Sequence, residues 1–235
     1  MAMTSRAAPP TLTALSSMAT RALLAELARG FEHATGMAVA VTSVGGVEAA
    51  KRVAAGEPFD LVLLARDALD KLVAAHLVHA GLVDWVQSPM ALAVQAGQPV
   101  PPLHTEDQLK VAVLAAPRVG CSTGPSGQHL LRLFQRWGVA DDMASRTVQV
   151  PPGVPVGGLV AGGDVALGFQ QLSELQGLSG ITLAGELPPG CAFVTTFSGG
   201  VSCLSTRPEL ARSFLAHLAA PGHDDTKRQH GMSPA

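Results

Sequence analysis

Residues 11–42 read TLTALSSMATRALLAELARGFEHATGMAVAVT. The opening apolar run, 11–15, has the length of a buried strand. Residues 19–35 then place Leu23, Leu24, Leu27 and Phe31 close to the i, i+3, i+4 spacing of a helix stripe, and Gly36 follows as a stop. A second apolar run, 38–42, comes next. Strand, helix and strand in this order form the crossover unit of a parallel sheet, so the stretch predicts an α/β fold. The pattern continues with a helix over 47–55, a strand over 60–64 and a helix over 67–75, with Asp67 as its expected N-cap.

Further along, residues 90–94 read as a strand, followed by a loop whose prolines, Pro99, Pro101 and Pro102, forbid regular structure. Helices are predicted over 105–115 and 127–137, strands over 146–150 and 165–169, and a short helix within the glycine-rich segment 151–163. The break in alternation near residues 85–90 predicts two α/β lobes with the strand 90–94 crossing between them. Residues 221–235 lack apolar periodicity, which predicts a disordered tail.

Composition narrows the function. Charged residues are 14% of the 235-residue chain against roughly 25% in typical domains, while apolar residues are 47%, so a globular body is required. A net charge of -2 supplies no electrostatic footprint for nucleic acid. Aromatics are only 4%, with no tyrosine, leaving little material for stacking on bases or sugars. No run reaches the roughly 18 apolar residues that a membrane span needs. The first apolar stretch is interrupted by Ser16, Ser17 and Thr20, preceded by Pro9 and Pro10, and followed by Arg21, Glu26 and Arg29, which does not read as an export signal. The expectation is a cytoplasmic monomer that takes a small anionic ligand, or a periplasmic one if a leader has been removed.

Cys121, Cys191 and Cys203 form no C-x-x-C pair and sit at no zinc-like spacing with histidine, so neither a metal nor a disulfide is expected. The phosphate-cradling G-x-x-x-x-G-K-[ST] loop and the dinucleotide G-x-G-x-x-G turn are both absent, and no cofactor is expected. What the chain does have is small hydroxyl and glycine residues where strands give way to helices. In parallel sheets these junctions present free N–H groups and a partial positive charge. Ser16 and Ser17 follow the first strand, Thr42, Ser43, Gly45 and Gly46 the second, and Arg66 the third. In the second half the loop 121–127 carries Ser122, Thr123, Ser126 and Gly127, with Ser126 able to cap the helix bearing His129; residues 151–158 and the pair Gln170 and Gln171 supply further junctions.

Taken together, the segments 15–19, 36–46, 60–72, 124–127, 168–171 and 197–218 resemble type 2 periplasmic binding proteins, and the nearest branch looks like the molybdate-binding proteins of ABC importers. The resemblance implies two lobes joined by two crossing segments around a ligand cleft. One lobe would hold 11–88 with about 195–220, and the other 89–194. It implies ligand contacts at Ser16 or Ser17, Ser43, Ser126, Val154 and Gln170, with Ser88, Thr123 and Gly127 completing the candidate set. Two departures stand out. The chain lacks the tyrosine that ends molybdate sites of this kind, and it places Arg66 at a junction. An arginine fork suits a carboxylate, which favours an organic acid. Without an export signal, the resemblance extends to isomerases of unsaturated polycarboxylates such as trans-aconitate isomerase, with His129, Cys121 or Cys191 as proton relay and His129 as the catalytic candidate. The alternative is the binding protein of an oxyanion importer, partnered by an ABC permease.

Overall fold

The computed structural model describes residues 11–235, so Pro9 and Pro10 lie outside the described residues. In chain order the first half runs β1 (Leu12–Ser17), α1 (Arg21–Thr35), β2 (Val39–Val44), α2 (Gly46–Ala54), β3 (Leu61–Ala65), α3 (Arg66–Ala74) and the long strand β4 (Val83–Gln95). The middle runs α4 (Glu106–Ala115), β5 (Val119–Cys121), α5 (Pro125–Arg136), α6 (Ala140–Ala144), β6 (Thr147–Gln149), α7 (Val156–Gly162), β7 (Leu167–Gln171), α8 (Leu172–Leu175) and β8 (Ile181–Glu186). The chain closes with β9 (Val194–Val201), α9 (Pro208–Ala219) and α10 (Asp224–Gln229).

The protein is a two-lobed α/β molecule, and its strands order as β2-β1-β3-β9-β4-β7-β5-β6, with β8 on β4. β4 changes partners part-way along its length. Its residues 83–89 pair antiparallel with β9, whereas Met90 to Ala93 pair with β7 and Ala91 to Gln95 with β8. One continuous strand therefore belongs to both sheets. The sequence reading found only its second part, because Asp84, Gln87, Ser88 and Pro89 interrupt the apolar run.

Each sheet is covered on both faces, which explains why its central strands are apolar on both sides. All five residues of β3 are buried. Below the first sheet, α1 contributes Leu23, Leu24, Leu27 and Phe31 and α9 contributes Phe214, Leu215 and Leu218, packed with Trp85 and Phe197. Above it, Ala49 and Val53 of α2 meet Leu69 and Leu72 of α3. The second lobe repeats the arrangement, with α4, α5 and α6 around Leu92, Phe134 and Phe169 on one side and α7 around Val156 and Val160 on the other. α1 ends where the sequence predicts, at Gly36, whose φ of 74° carries the left-handed cap.

The C-terminal segment differs from its expectation. Residues 221–235 are folded: α10 is followed by a backbone bridge in which Ser233 and Gln87 exchange N–H···O bonds of 2.8 and 2.9 Å. Lys227 is buried with its ammonium 3.2 Å from Asp224, and Met232 is part of the core under β1 and β4. A polar composition concealed this because the order rests on one apolar anchor and a helix with Asp224 and Asp225 at its start and Lys227 and Arg228 at its end, charges that suit the helix dipole. Met232→Ala is therefore expected to cost about 2–5 kcal/mol. At this chain length that is a fall in Tm of roughly 2–4 °C per kcal/mol, measurable by calorimetry, whereas a loose tail would leave Tm unchanged.

Candidate functional site

Between the lobes lies a cavity of about 450 Å³. Its walls come from the carboxyl ends of the parallel strands in both lobes, with Phe197 of β9 at the base. The end of β1 and the turn after it supply Ser17 to Ala19, the β2–α2 turn supplies Gly45 and Gly46, and β3–α3 supplies Ala65, Asp67 and Ala68. The opposite wall is residues 122–126 before and within α5, 151–154 before α7, and Gln170, Gln171 and Glu174 at the β7–α8 junction. This is the crevice that parallel α/β topology opens at strand carboxyl ends. The helices α2 and α5 face it from opposite lobes with N-caps Gly45 and Gly124, neither of which makes a side-chain cap, so the N–H groups of Gly46 and Val47 in α2, and of Ser126 and Gly127 after the N–H-less Pro125 in α5, have no intrahelical partner.

Two buried polar atoms on this wall have no hydrogen-bond partner, the Ser17 hydroxyl and Gln171 Oε1. Both are costly to leave unsatisfied in a folded chain, by about 1–3 kcal/mol each, and such atoms in a cavity mark where a ligand is expected. The other end of Gln171 donates to Thr195 Oγ1 at 2.6 Å. Because a hydroxyl both gives and accepts, that amide can present either its oxygen or its NH2 to the cavity. Gln170 has no such freedom. Its Oε1 accepts from Val156 N–H at 2.9 Å, which forces its Nε2 toward Glu174 Oε1 at 2.8 Å.

Glu174 was not singled out by the sequence, yet it is the titratable group set deepest in this cavity. Burial pushes its carboxyl up to about 7, against a smaller opposing effect of the Gln170 bond. The remaining charged side chains on the lining, Lys51, Asp67 and Lys71, are exposed at the mouth. The signal available in the sequence was the spacing of Gln170 and Gln171 at the end of a buried strand and Glu174 just after it.

Of the residues expected to bind, Ser17, Thr123, Ser126, Val154 and Gln170 are on the lining. Gly127 lies just behind it, buried in the first turn of α5, where a Cβ would run into the Ser122 carbonyl. Ser126 is inside α5 and shares a 3.2 Å contact with the Ser122 hydroxyl; Gly124 takes the cap position. Ser16 is off the lining, fully buried and bonded to Thr20 Oγ1 at 2.8 Å. Ser43 also is off it, since β2 runs on to Val44 and leaves Ser43 within the strand opposite Ser16. Ser88 is buried on β4 against Ser173. Asp67 stands in the first turn of α3 rather than capping it, because the helix begins at Arg66.

Arg66 also lies off the lining. Its guanidinium bonds Asp70 at 3.0 Å, one turn along α3, and Asp84 at 2.9 Å on β4, away from the cavity. His129 is likewise elsewhere: Nε2 donates to the Cys191 carbonyl at 2.9 Å and the ring stacks on Phe193 at 4.6 Å, while burial holds its pKa below the ordinary value. The three cysteines are free thiols; burial pushes Cys121 up to about 11, and Cys191 is also raised by burial, so neither is a ready proton carrier. Among the described residues no cluster of His, Cys, Asp and Glu could hold a metal ion, and no helix is long and apolar enough to cross a membrane.

Two lobes joined through the shared strand β4, with a polar crevice at the strand ends, define a solute-binding architecture. Residues 12–233 match the bacterial extracellular solute-binding protein family, and the chain belongs to it. Among curated proteins it is 37% identical over 231 residues to an aconitate isomerase of Pseudomonas sp, covering 95% of this chain and 88% of that one. Among solved structures it superposes on the periplasmic molybdate-binding protein of Azotobacter vinelandii with a TM-score of 0.77 at 18% identity, covering 94% and 98% of the two chains. A periplasmic thiamin binding protein gives 0.78 at 17% identity, covering 96% and 83%. A fold shared by proteins described for molybdate and for thiamin leaves the ligand to be argued from the site.

The Glu174 carboxyl makes stability depend on pH. Its folded pKa lies above the unfolded value, so the unfolded chain binds fewer protons between about 4.5 and 7 and stability falls as pH rises through that window. Glu174→Gln should gain stability relative to the parent on going from pH 5 to pH 8 in urea melts, with the gain complete above the folded pKa.

Proposed function

We propose that the chain is an isomerase of a small unsaturated polycarboxylate of the aconitate kind. The observation that carries this reading is the 37% identity to an aconitate isomerase across 95% of the chain. The site supports it physically. A volume of about 450 Å³ lies within the roughly 300–1,000 Å³ of organic-ligand pockets and is generous for a five-atom oxyanion. Carboxylates would be held by the N-termini of α2 and α5 and by the Ser17, Thr123 and Ser126 hydroxyls, with Gln170 lining the wall behind them. Lys51 and Lys71 at the mouth replace Arg66 as the cationic selectors, against the single exposed Asp67. In this reading no cofactor is required, and the protein acts in the cytoplasm as a monomer.

A second reading, the binding protein of an importer working with a membrane permease outside the cytoplasm, is favoured by the family's extracellular description. The two separate on turnover, since a receptor returns its ligand unchanged.

Thermal-shift titrations with trans-aconitate, cis-aconitate, citrate, molybdate and sulfate test the ligand class. A ligand at 100 times its Kd adds about 2.7 kcal/mol of stability. Stabilisation by aconitate, with isomerisation followed by chromatography, is the expected result; stabilisation by molybdate alone would favour the importer. Ser17→Ala should weaken aconitate by about 10- to 150-fold, the cost of one hydrogen bond to a charged group, while leaving the free protein as stable or slightly more so because an unpaired buried hydroxyl is removed. Arg66→Ala should leave affinity unchanged.

The lobes also come close at the β2–α2 turn. A Cβ on Gly45 would come within 2.7 Å of Pro152 Cβ and 3.2 Å of Gly153 N across the cleft. Gly45→Val should hold the lobes apart and weaken every ligand, read in the same titrations, with little change in the Tm of the free protein.

A further inference from the structure

Resting on the isomerase reading, we infer that Glu174 is the proton-transferring residue of the cleft, its Oε2 carrying a hydrogen between two carbons of the bound polycarboxylate. Several observations meet there. The titratable side chains on the cavity lining are Lys51, Asp67, Lys71 and Glu174, and only Glu174 is withdrawn from the exposed mouth. His129, Cys121 and Cys191 are all off the lining and otherwise engaged or buried. The Glu174 carboxylate, half-buried at the cavity wall, takes part in no ion pair among the described residues, although a desolvated charge without a cation is costly for a fold to keep.

The side chain is also oriented. Val156 N–H fixes Gln170 Oε1, so Gln170 Nε2 must donate to Glu174 Oε1. That leaves Oε2 as the oxygen that gains and loses the proton, and the Gln170 bond survives in both states because Oε1 accepts in each. Of the elements packed on α8, the segment 18–20 after β1, β7 and α7 have no ionisable side chain, and the one ionisable residue on β4, Asp84, is paired with Arg66 at the far end. β8, whose Ile181 packs on Leu172 and Leu175, carries Glu186 at its opposite end. Residues 229–231 also lie against Leu172 and Gln176, and the charged groups of that segment are paired, Lys227 with Asp224, Arg228 with Asp225 and His230 with Glu26. Lys51, Lys71 and Asp67 face the same cavity from the first lobe. With burial the dominant influence, the group titrates near neutrality, where a carboxyl can act as base and then as acid.

The chemistry balances without a co-reactant. Aconitate has a carbon–carbon double bond beside a methylene that also bears a carboxylate. Ionised Glu174 removes one methylene proton, and the C–H electron pair spreads through the double bond into a carboxylate. The same Oε2–H then returns the proton to the far alkene carbon, so the double bond shifts by one position and its geometry is reset. Nothing is oxidised or reduced. Helix N-termini from both lobes would stabilise the extra negative charge at the transition state.

The test compares the parent with Glu174→Gln and Glu174→Asp in turnover, calorimetric binding and solvent deuterium uptake into aconitate. Glutamine keeps the bond from Gln170, so a merely structural role would survive the change. The expected result is a fall in kcat of roughly 10²- to 10⁴-fold with affinity within a few-fold, loss of deuterium uptake, and loss of the limb of the pH profile that rises through about 7 in the parent. Glu174→Asp, with its carboxyl drawn back by one methylene, should fall between the two. Turnover of Glu174→Gln within a few-fold of the parent would overturn the assignment while the isomerase reading stands. Binding of aconitate by the parent with neither turnover nor exchange would overturn both the assignment and catalysis, leaving a receptor. Absence of binding would overturn the isomerase reading and the assignment with it.

Discussion

Everything in this molecule hangs on β4 being shared. A strand of 13 residues is long enough to pair with β9 over its first half and with β7 and β8 over its second, and the change of partner falls at Pro89 and Met90. Proline has no N–H to give to a ladder, so it belongs where pairing changes hands. Because the two sheets are joined by backbone hydrogen bonds through one strand, the carboxyl ends of β1, β2 and β3 face those of β5, β6 and β7 across a common crevice. Each side then contributes helix N-termini and short polar loops to the same volume.

That arrangement governs the electrostatics. With no arginine on the lining and two lysines only at the mouth, charge recognition inside the cleft falls to dipoles and hydroxyls. A wall built this way is neutral enough for a carboxyl to sit in it without a cation. Glu174 does so, and burial holds its proton near neutrality. The unpaired Ser17 hydroxyl and Gln171 oxygen add to the picture of a surface incomplete by itself. Stability has been given up where a ligand would restore it, the usual relation between a strained or unsatisfied site and its function.

The contrast between the two candidate selectors shows how local sequence misleads. Arg66 stands at a strand-to-helix junction, the right kind of place, but Asp70 one helical turn on takes its Nε donor and Asp84 on β4 its Nη1 donor. Lys51 and Lys71 lie well along α2 and α3, with no junction to recommend them, and reach the cavity because those helices pack side by side above the sheet. His129 shows the same effect: one residue in the α5 register separates the lining from the packed face, and the Cys191 carbonyl and Phe193 ring claim it.

The sequence by itself determined the α/β class, the order of strands and helices in the first half, and the segments at which a crevice could form, because burial period, glycine stops and polar junction residues are local signals. Gly36 ending α1 is legible from its neighbours alone. Only the tertiary structure decided which junction residues face the cleft, because that depends on register and on long-range partners. It turned Ser43 into a mid-strand residue opposite Ser16, gave Arg66 to Asp84, and folded the C-terminal segment onto Gln87 through Ser233. It also made Glu174 the half-buried, desolvated carboxyl of the cavity, since the desolvation that sets its proton affinity comes from walls far apart in the chain.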